Sequence, residues 1–458
     1  MDLFCGAGGL SLGFRTAGCR IRAAVDCDAV AGQTFRRNFE ILQPDAPPVV
    51  HTGNEADLEH LDLNVVSAGE PPDIVVGGPP CQGFAVIGRA KLDSLSDDGF
   101  AGDPRNGLYR VFVQAIMGWR PRAFVMENVP GMMSVEGRNI ADEAAAELAE
   151  GDYEVGYAVL NAVWYGVPQY RRRLFIIGIR KEFGVTPTVP LATHIGDMPS
   201  GYPRPSRSLQ LPLGFVRYGE MFTDLSNARL SLVTARQALD DLPVLRMDEE
   251  DDRRTRLDFR RSQPHGTVEP SGYAHLMRAW PGLPTSREVI DHAVRRTPRD
   301  YDTFEKMRPG DRYPEALAIA RDRLAEEINA CRKLGKTFDK GALLRGIVPP
   351  YPVETFVDRW RKLIPDQPSW TVTAHLAKDT YSHIHYDGAQ KRMISVREAA
   401  RLQSFPDGFR FTGSMNDCFG QIGNAVPPLL AWALAANLLE TLGFRACRIP
   451  WDDLMRDA

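Results

Sequence analysis

Asp73-Ile74-Val75-Val76-Gly77-Gly78-Pro79-Pro80-Cys81-Gln82-Gly83-Phe84 sets an apolar strand-like run against a turn that ends in a thiol. In α/β proteins the carboxyl end of a strand is where ligands meet chemistry. Pro79 and Pro80 cannot continue a hydrogen-bonded ladder, so they stop the strand and stiffen the approach to Cys81. Gly77, Gly78 and Gly83 let the backbone turn sharply and let another molecule come close. A free cysteine is more often a small buried hydrophobe. The two prolines before Cys81 and the Gln-Gly-Phe after it favour a presented nucleophile instead.

The same strand-then-chemistry pattern recurs on either side. Ala123-Phe124-Val125-Met126 is an apolar strand that ends in Glu127-Asn128, placing a carboxylate where burial can raise its pKa and make it a proton donor. At the start of the chain Asp2-Leu3-Phe4-Cys5-Gly6-Ala7-Gly8-Gly9-Leu10 bridges a strand end and a helix with a glycine loop of the kind that approaches a nucleotide-like ligand. Asp26 lies about twenty residues further, at the end of a second strand, where an acid can accept from both ribose hydroxyls. Its other reading, a helix N-cap, is open to Asp28 as well. Residues 2–180 alternate strands (21–25, 73–76, 123–126, 153–160, 173–179) with helices (9–17, 29–38, 108–119, 140–150), which predicts a mostly parallel sheet covered on both faces. Residues 186–213 are rich in proline, glycine and serine and read as a linker or extended loop. Regular patterning returns at 396–403, and the apolar run 425–439 reads as a buried helix with proline in its first turn, packed back on the first unit.

Taken together, these motifs resemble the DNA (cytosine-5) methyltransferase family. The likeness rests on six blocks in the family's order: the loop at 2–10, Pro79-Pro80-Cys81-Gln82, Glu127-Asn128-Val129, Gln169-Tyr170-Arg171-Arg172-Arg173, the segment 396–406, and Gln421-Ile422-Gly423-Asn424-Ala425-Val426. It implies a Rossmann-like α/β fold with a mostly parallel sheet and a smaller target-recognition domain. The expected division is 1–185 with 415–458 for catalysis, and 186–414 for target recognition. It also implies S-adenosylmethionine as cofactor, held by Phe4, Gly6, Gly8, Gly9, Leu10, Asp26, Cys27, Asn54, Pro79, Asn424 and Val426, with Phe4 against the adenine. The implied catalytic residues are Cys81, which adds to cytosine C6, and Glu127, which serves N3. Arg173 would lie on the cytosine O2 with Arg171 in support. Arg171 and Arg173 alternate, so in a strand they share a face. Two positions depart from the family pattern. Asn54 stands for an aspartate, and Cys27 stands where a bulkier residue is usual, so weaker cofactor binding is expected. With Met1 alone ahead of Asp2, either the start is assigned late or the first strand is short.

A base within a duplex cannot reach such a pocket and must be rotated out of the stack. The Gly-, Ser- and Asp-rich segment 82–107, with Arg89, Lys91 and Arg105, suits a closing loop. Base-reading side chains are expected in the variable segment. The candidates are 253–261, 292–299 and 359–362, although most of these charges read as helix surface balanced by neighbouring acids. His375, His383 and His385 lack metal-ligand spacing and read as structural or DNA-contacting, so no metal is expected. The net charge of −4 means that DNA binding must rest on local basic surface. Seven scattered cysteines without a Cys-x-x-Cys pair suit a reducing cytoplasm, and acidic Asp2 with a glycine loop reads as neither signal peptide nor membrane anchor. The expected partners are double-stranded DNA and a cognate restriction endonuclease. An RNA cytosine-5 methyltransferase and a non-catalytic DNA-binding regulator on the same fold are the alternatives. The long segment 186–390 and the intact Cys81, Glu127 and Arg173 weigh against them.

Overall fold

The computed structural model describes residues 1–53, 66, 69–80, 107–199, 223, 225–226, 228–245, 247, 260–357 and 359–449. Cys81, Asn54 and the expected closing loop up to residue 106 lie outside the described residues, as do 200–222 and 248–259.

Seven strands form one sheet: β1 Asp2–Leu3, β2 Ala23–Asp26, β3 Val49–Thr52, β4 Ile74–Gly77, β5 Ala123–Asn128, β6 Tyr153–Asn161 and β7 Arg172–Arg180. Their order is β3-β2-β1-β4-β5-β7-β6. The first five strands pair in parallel, and β7 runs antiparallel to both β5 and β6. This is the α/β class that the alternation of strands and helices predicts. The order reverses beside β1, which lies between β2 and β4, so the carboxyl ends of β1 and β4 frame a topological switch point. β1 is two residues long, and its pairing is extended by Met1. The Met1 ammonium donates to Ile74 O (2.8 Å), and its carbonyl accepts from Val76 N (2.8 Å).

Period-two alternation divides the core between the sheet's two faces. Val76, Ala123, Val125 and Ile177 point into one cluster, while Val75, Phe124, Met126 and Ile176 point into the other. Helices α1 (Gly9–Thr16) and α2 (Ala29–Leu42) cover the first face, and α3 (Leu108–Trp119) and α4 (Ile140–Glu150) the second. Asp28 caps α2 by accepting from the amides of Val30 and Ala31 (2.9 and 3.1 Å), so Asp26 is not needed as a cap.

Buried residues from 228–242, 273–289 and 363–449 join the first cluster, so these later segments share their core with the sheet. A separate cluster forms around α5 (Tyr301–Lys306) and α6 (Tyr313–Lys333), with Trp360 stacked on Tyr381 at 4.5 Å. Helix α7 (Val396–Leu402) falls where regular patterning is expected, and all of its residues are buried, charges included. Those charges are paired. Arg401 binds Asp241 (3.0 Å) and Asp407 (2.6 Å), and Arg392 grips Glu398 with two bonds of 2.7 Å. Burial would raise the Glu398 carboxyl, but Arg392 and His385 hold it well below the usual range.

The apolar stretch 415–441 is long and apolar enough to cross a membrane by composition. It folds as two helices, α8 (Met415–Asn424) and α9 (Pro428–Thr441), with Pro428 in the first turn of α9. Helix α9 packs across α1, where Gly13 leaves no room for a Cβ against Ala431 and Trp432.

Candidate active site

The carboxyl edge of the sheet gathers most of the residues that the sequence singles out. β5 ends in Glu127 and Asn128, both buried. Because β7 runs antiparallel, its first residues stand beside the last residues of β5, with Glu127 opposite Phe175 and Asn128 opposite Leu174. Arg173 thereby reaches Glu127, and its Nε lies 2.9 Å from Glu127 Oε1. Burial pushes the Glu127 carboxyl above its ordinary value, and the nearby guanidinium groups of Arg173 and Arg171 only partly offset this. The pair is therefore a carboxyl poised to hold a proton beside a fixed cation.

Asn128 accepts from Val129 N (2.8 Å) and turns its Nδ2 toward Pro79 O (3.4 Å). It thus braces the backbone two residues ahead of Cys81, the bracing role that its position suggests. A Cβ at Gly78 would stand 3.1 Å from Glu127 Oε2, so glycine keeps that side of the carboxyl open. A Cβ at Gly77 would collide with Leu3 O, so glycine also permits β4 to close on β1.

Arg171 differs from the expectation of a shared strand face. β7 begins at Arg172, and Arg171 precedes it, completely buried. Its guanidinium donates to three carbonyls: Val372 O (2.6 Å), Gly423 O (3.0 Å) and Ala425 O (2.9 Å). The chain is held there by Gln169, which donates to Leu402 O (2.9 Å) and accepts from Val372 N (2.8 Å). Gln403 adds a second donor to Ala425 O at 2.6 Å. Arg171, Gln169 and Gln403 thus clamp the turn that carries Asn424 and Val426. The long-range pairing of Gln403 with this turn was not among the sequence expectations. Its signal is a long polar side chain in the buried stretch Leu402-Gln403-Ser404-Phe405.

On the other side of the switch point stands the glycine loop. Phe4 adopts φ +60°, a backbone region costly for a bulky side chain, so the surrounding fold enforces its placement at the end of β1. Gly6 (φ +51°) has open space where a Cβ would stand. Gly8 (φ +95°) sits on Phe35 and Phe39. A Cβ at Gly9 would strike Val426 O, so this glycine lets the clamped turn rest on the start of α1. Asn424 is exposed at the end of α8. Leu10 is buried in the core. Asp26 accepts from Gly6 N (2.7 Å) through Oδ2 and from Asp28 N (2.8 Å) through Oδ1, and burial raises its carboxyl. Cys27 is exposed beside it. Beneath the loop, Asp2 accepts from Ser11 Oγ (2.7 Å), and burial pushes its carboxyl up to about 7.

The candidate base-reading arginines are mostly engaged within the fold. Arg260 binds Asp291 and the carbonyls of Phe411 and Gly413, Arg295 binds Ala377 O and Asn416, and Arg299 binds Asp300. Arg359 binds Asp379, and Lys362 is buried on the carbonyls of Phe304 and Met307. His383 and His385 are buried too, and burial lowers them to about 4 and about 3. Among the described residues no group of His, Cys, Asp and Glu could hold a metal.

A carboxyl–guanidinium pair and a glycine loop, facing one another across the switch point of a mainly parallel sheet, define a Rossmann-like group-transfer enzyme. The family model for C-5 cytosine-specific DNA methylases matches residues 1–440, and the chain belongs to that family. It is a DNA (cytosine-5) methyltransferase. Among its relatives, a protein of Oceanobacillus iheyensis provisionally named as the type II methyltransferase M.OihORF3336P is 38% identical over 462 residues, 96% of this chain and 95% of that protein. The type II methyltransferase M.AgeI of Thalassovita gelatinovora is 32% identical over 467 residues, 96% of this chain and 98% of its own. The fold is similar to that of an E. coli prophage protein assigned as a DNA modification methyltransferase. That crystal structure has a TM-score of 0.61 at 22% identity and is matched over 96% of this chain and 98% of that one.

Proposed function

We propose that the protein methylates C5 of a flipped-out cytosine in a specific duplex DNA sequence, as the modification arm of a type II restriction-modification system with a cognate endonuclease. The observation that carries the reading is the Arg173–Glu127 pair, 2.9 Å apart at the carboxyl edge, with Asn128 steadying the strand end that leads to Cys81.

The Cys81 thiolate adds to C6 of the base, and the electron pair displaced from the C5–C6 bond makes C5 nucleophilic. Glu127, whose carboxyl burial raises above its ordinary value, gives a hydrogen bond or proton to N3 as charge develops there. Arg173 holds Glu127 in place and offers its guanidinium to the cytosine O2. When bound, S-adenosylmethionine supplies a sulfonium methyl to the activated C5. The C5 proton then leaves to water, the Cys81–C6 bond breaks, and Glu127 recovers its proton.

The residues present suit that cofactor. Each Asp26 oxygen has accepted a single amide, leaving lone pairs for ribose hydroxyls. Phe4 is enforced at φ +60°, where its ring can meet an adenine, and Gly6 leaves space beside it. Gly8 and Gly9 shape the turn, Pro79 and Leu10 back it, and Asn424 and Val426 close the methionine end. Cys27 stands on the adenine side; Asn54, expected there too, lies outside the described residues. Residues 1–185 and 415–458 then carry catalysis, and 186–414 read the target.

Covalent trapping tests the mechanism. Duplex DNA with 5-fluorocytosine in varied sequence contexts, incubated with S-adenosylmethionine, should give a denaturation-resistant adduct with the wild type. Cys81→Ser should give none, since fluorine blocks the last elimination after C6 addition. An adduct that persists in Cys81→Ser would reject Cys81 as the nucleophile.

A further inference from the structure

A cleft of about 620 Å³ lies on the flank of α2, away from the methyl-transfer site. It is lined by Arg37, Arg260 and Arg410, with Ile290 and the strip Phe411-Thr412-Gly413. Arg37 stands nine residues past the Asp28 cap, about 13 Å along the helix from that cap at 1.5 Å per residue. Helix α8, ten residues long, separates Gly413 from Asn424 by a similar length.

The cleft is built rather than incidental. Buried Asn38 of α2 clamps the Arg410 backbone from both sides, accepting from its amide (2.8 Å) and donating to its carbonyl (2.9 Å). Thr34 accepts from Thr412 N (2.9 Å), and Arg260 binds the carbonyls of Phe411 (2.5 Å) and Gly413 (2.7 Å) from the opposite side. Arg410 is thereby fixed beside other cations. Its Nη1 is shut away from solvent without a hydrogen-bond partner. The carboxylates within reach hold other arginines. Asp291 binds Arg260 and Arg397, and Asp407 binds Arg401. Burial, then the neighbouring Arg397 and Arg37, lower the Arg410 guanidinium below its ordinary value, and Asp291 and Asp407 oppose this only in part.

Arg37 and Arg410, without an ion-pair partner among the described residues, and Arg260, which already holds Asp291, line one roomy cleft, and this surplus of positive charge matches the chemistry of a multiply charged oxyanion. Arginine forks suit phosphate oxygens in particular. We propose that this cleft is an anion site that takes a phosphoryl group, separate from the cofactor and base pockets. The phosphoryl group comes either from the DNA backbone or from a free phosphorylated molecule, and two arms of one experiment separate the sources.

In the first arm, thermal unfolding of the full chain is followed in pyrophosphate and in sodium chloride of equal ionic strength, without DNA or cofactor. The second arm measures DNA affinity against salt. Both use the wild type, Arg410→Gln and Arg37→Gln, the last an exposed helix position where folding is not at risk. A saturable rise in Tm with pyrophosphate that both variants lose supports the site. If the variants also flatten the slope of log K against log salt, by about 0.9 for each phosphate no longer neutralised, the backbone is the source. An unchanged slope with a lost pyrophosphate response assigns a free phosphorylated ligand, and a flattened slope without a pyrophosphate response also supports the site, with the backbone as source. If pyrophosphate acts no differently from chloride, or acts equally on all three proteins, and the slopes agree, the proposal is overturned. The first arm needs neither DNA nor methyl transfer, so its failure is distinct from failure of the catalytic reading.

Discussion

Arg171→Ala tests whether this buried arginine positions the site or touches substrate. Its guanidinium donates three hydrogen bonds of 2.6 to 3.0 Å to Val372 O, Gly423 O and Ala425 O. Ala425 O keeps a second donor in Gln403, so the substitution strands chiefly the carbonyls of residues 372 and 423. A buried acceptor left without a partner costs about 1–3 kcal/mol, which places the loss near 4 kcal/mol for the two. The desolvation recovered by removing the charge works against the packing lost with the aliphatic stem. The same loss loosens the turn carrying Asn424 and Val426, and at about 1.4 kcal/mol per tenfold change, cofactor affinity should fall tenfold or more. Equilibrium urea unfolding reads the stability, and calorimetric titration with S-adenosylmethionine reads the affinity. Arg173→Ala, which leaves the three carbonyls bonded, should instead reduce turnover with a smaller stability change. If Arg171→Ala alters stability by less than about 0.5 kcal/mol, the range of ordinary surface changes, and abolishes turnover with cofactor affinity intact, the clamp reasoning fails.

Glu127→Gln keeps the shape but withholds the proton, so single-turnover methylation should slow by about 10²–10⁴ while DNA binding persists; a rate within threefold of wild type would remove Glu127 from the chemistry. Arg401→Ala leaves the buried carboxylates of Asp241 and Asp407 short of a partner and should cost about 3–5 kcal/mol in urea unfolding, and a cost below about 1 kcal/mol would contradict the network. Asp2 has its carboxyl raised by burial from 3.8 to about 7. Over that window the folded state holds a proton that the unfolded chain has released, so this residue's stabilising share is full below about pH 4 and is lost as pH rises through 7. Asp2→Asn should therefore gain on the wild type in urea midpoint between pH 5 and pH 8, and a constant difference would show that Asp2 does not titrate there.

Much of the site was legible because its signals are local. Pro79-Pro80 and the glycines around them announce a strand end, Phe4 to Gly9 announces a strand-to-helix turn, and Asp28 is a capping residue by type and position. Arg171 and Arg173 were not separable in this way. Their spacing suggests one strand face, but where β7 begins depends on how residues 369–372 pair with the chain ahead of it. Helix α7 shows the same limit. Its regular patterning does not reveal that its arginines and Glu398 are interior, and their partners lie both close in sequence (Arg392, Asp407) and more than a hundred residues away (Asp241, Asp291).

The sequence by itself determined the α/β class, the family and the residue types at the strand ends, since hydrophobic period, turn chemistry and motif order are all properties of neighbours along the chain. The tertiary structure decided which of those residues meet. Reversal of β7 brings Arg173 to Glu127, and the Gly9–Val426 contact seats the last motif on the first. Packing of residues 410–413 on α2 gathers arginines from three distant stretches around one cleft. Those outcomes follow from strand direction and from shape complementarity between remote segments, and neither is written in any local run of residues.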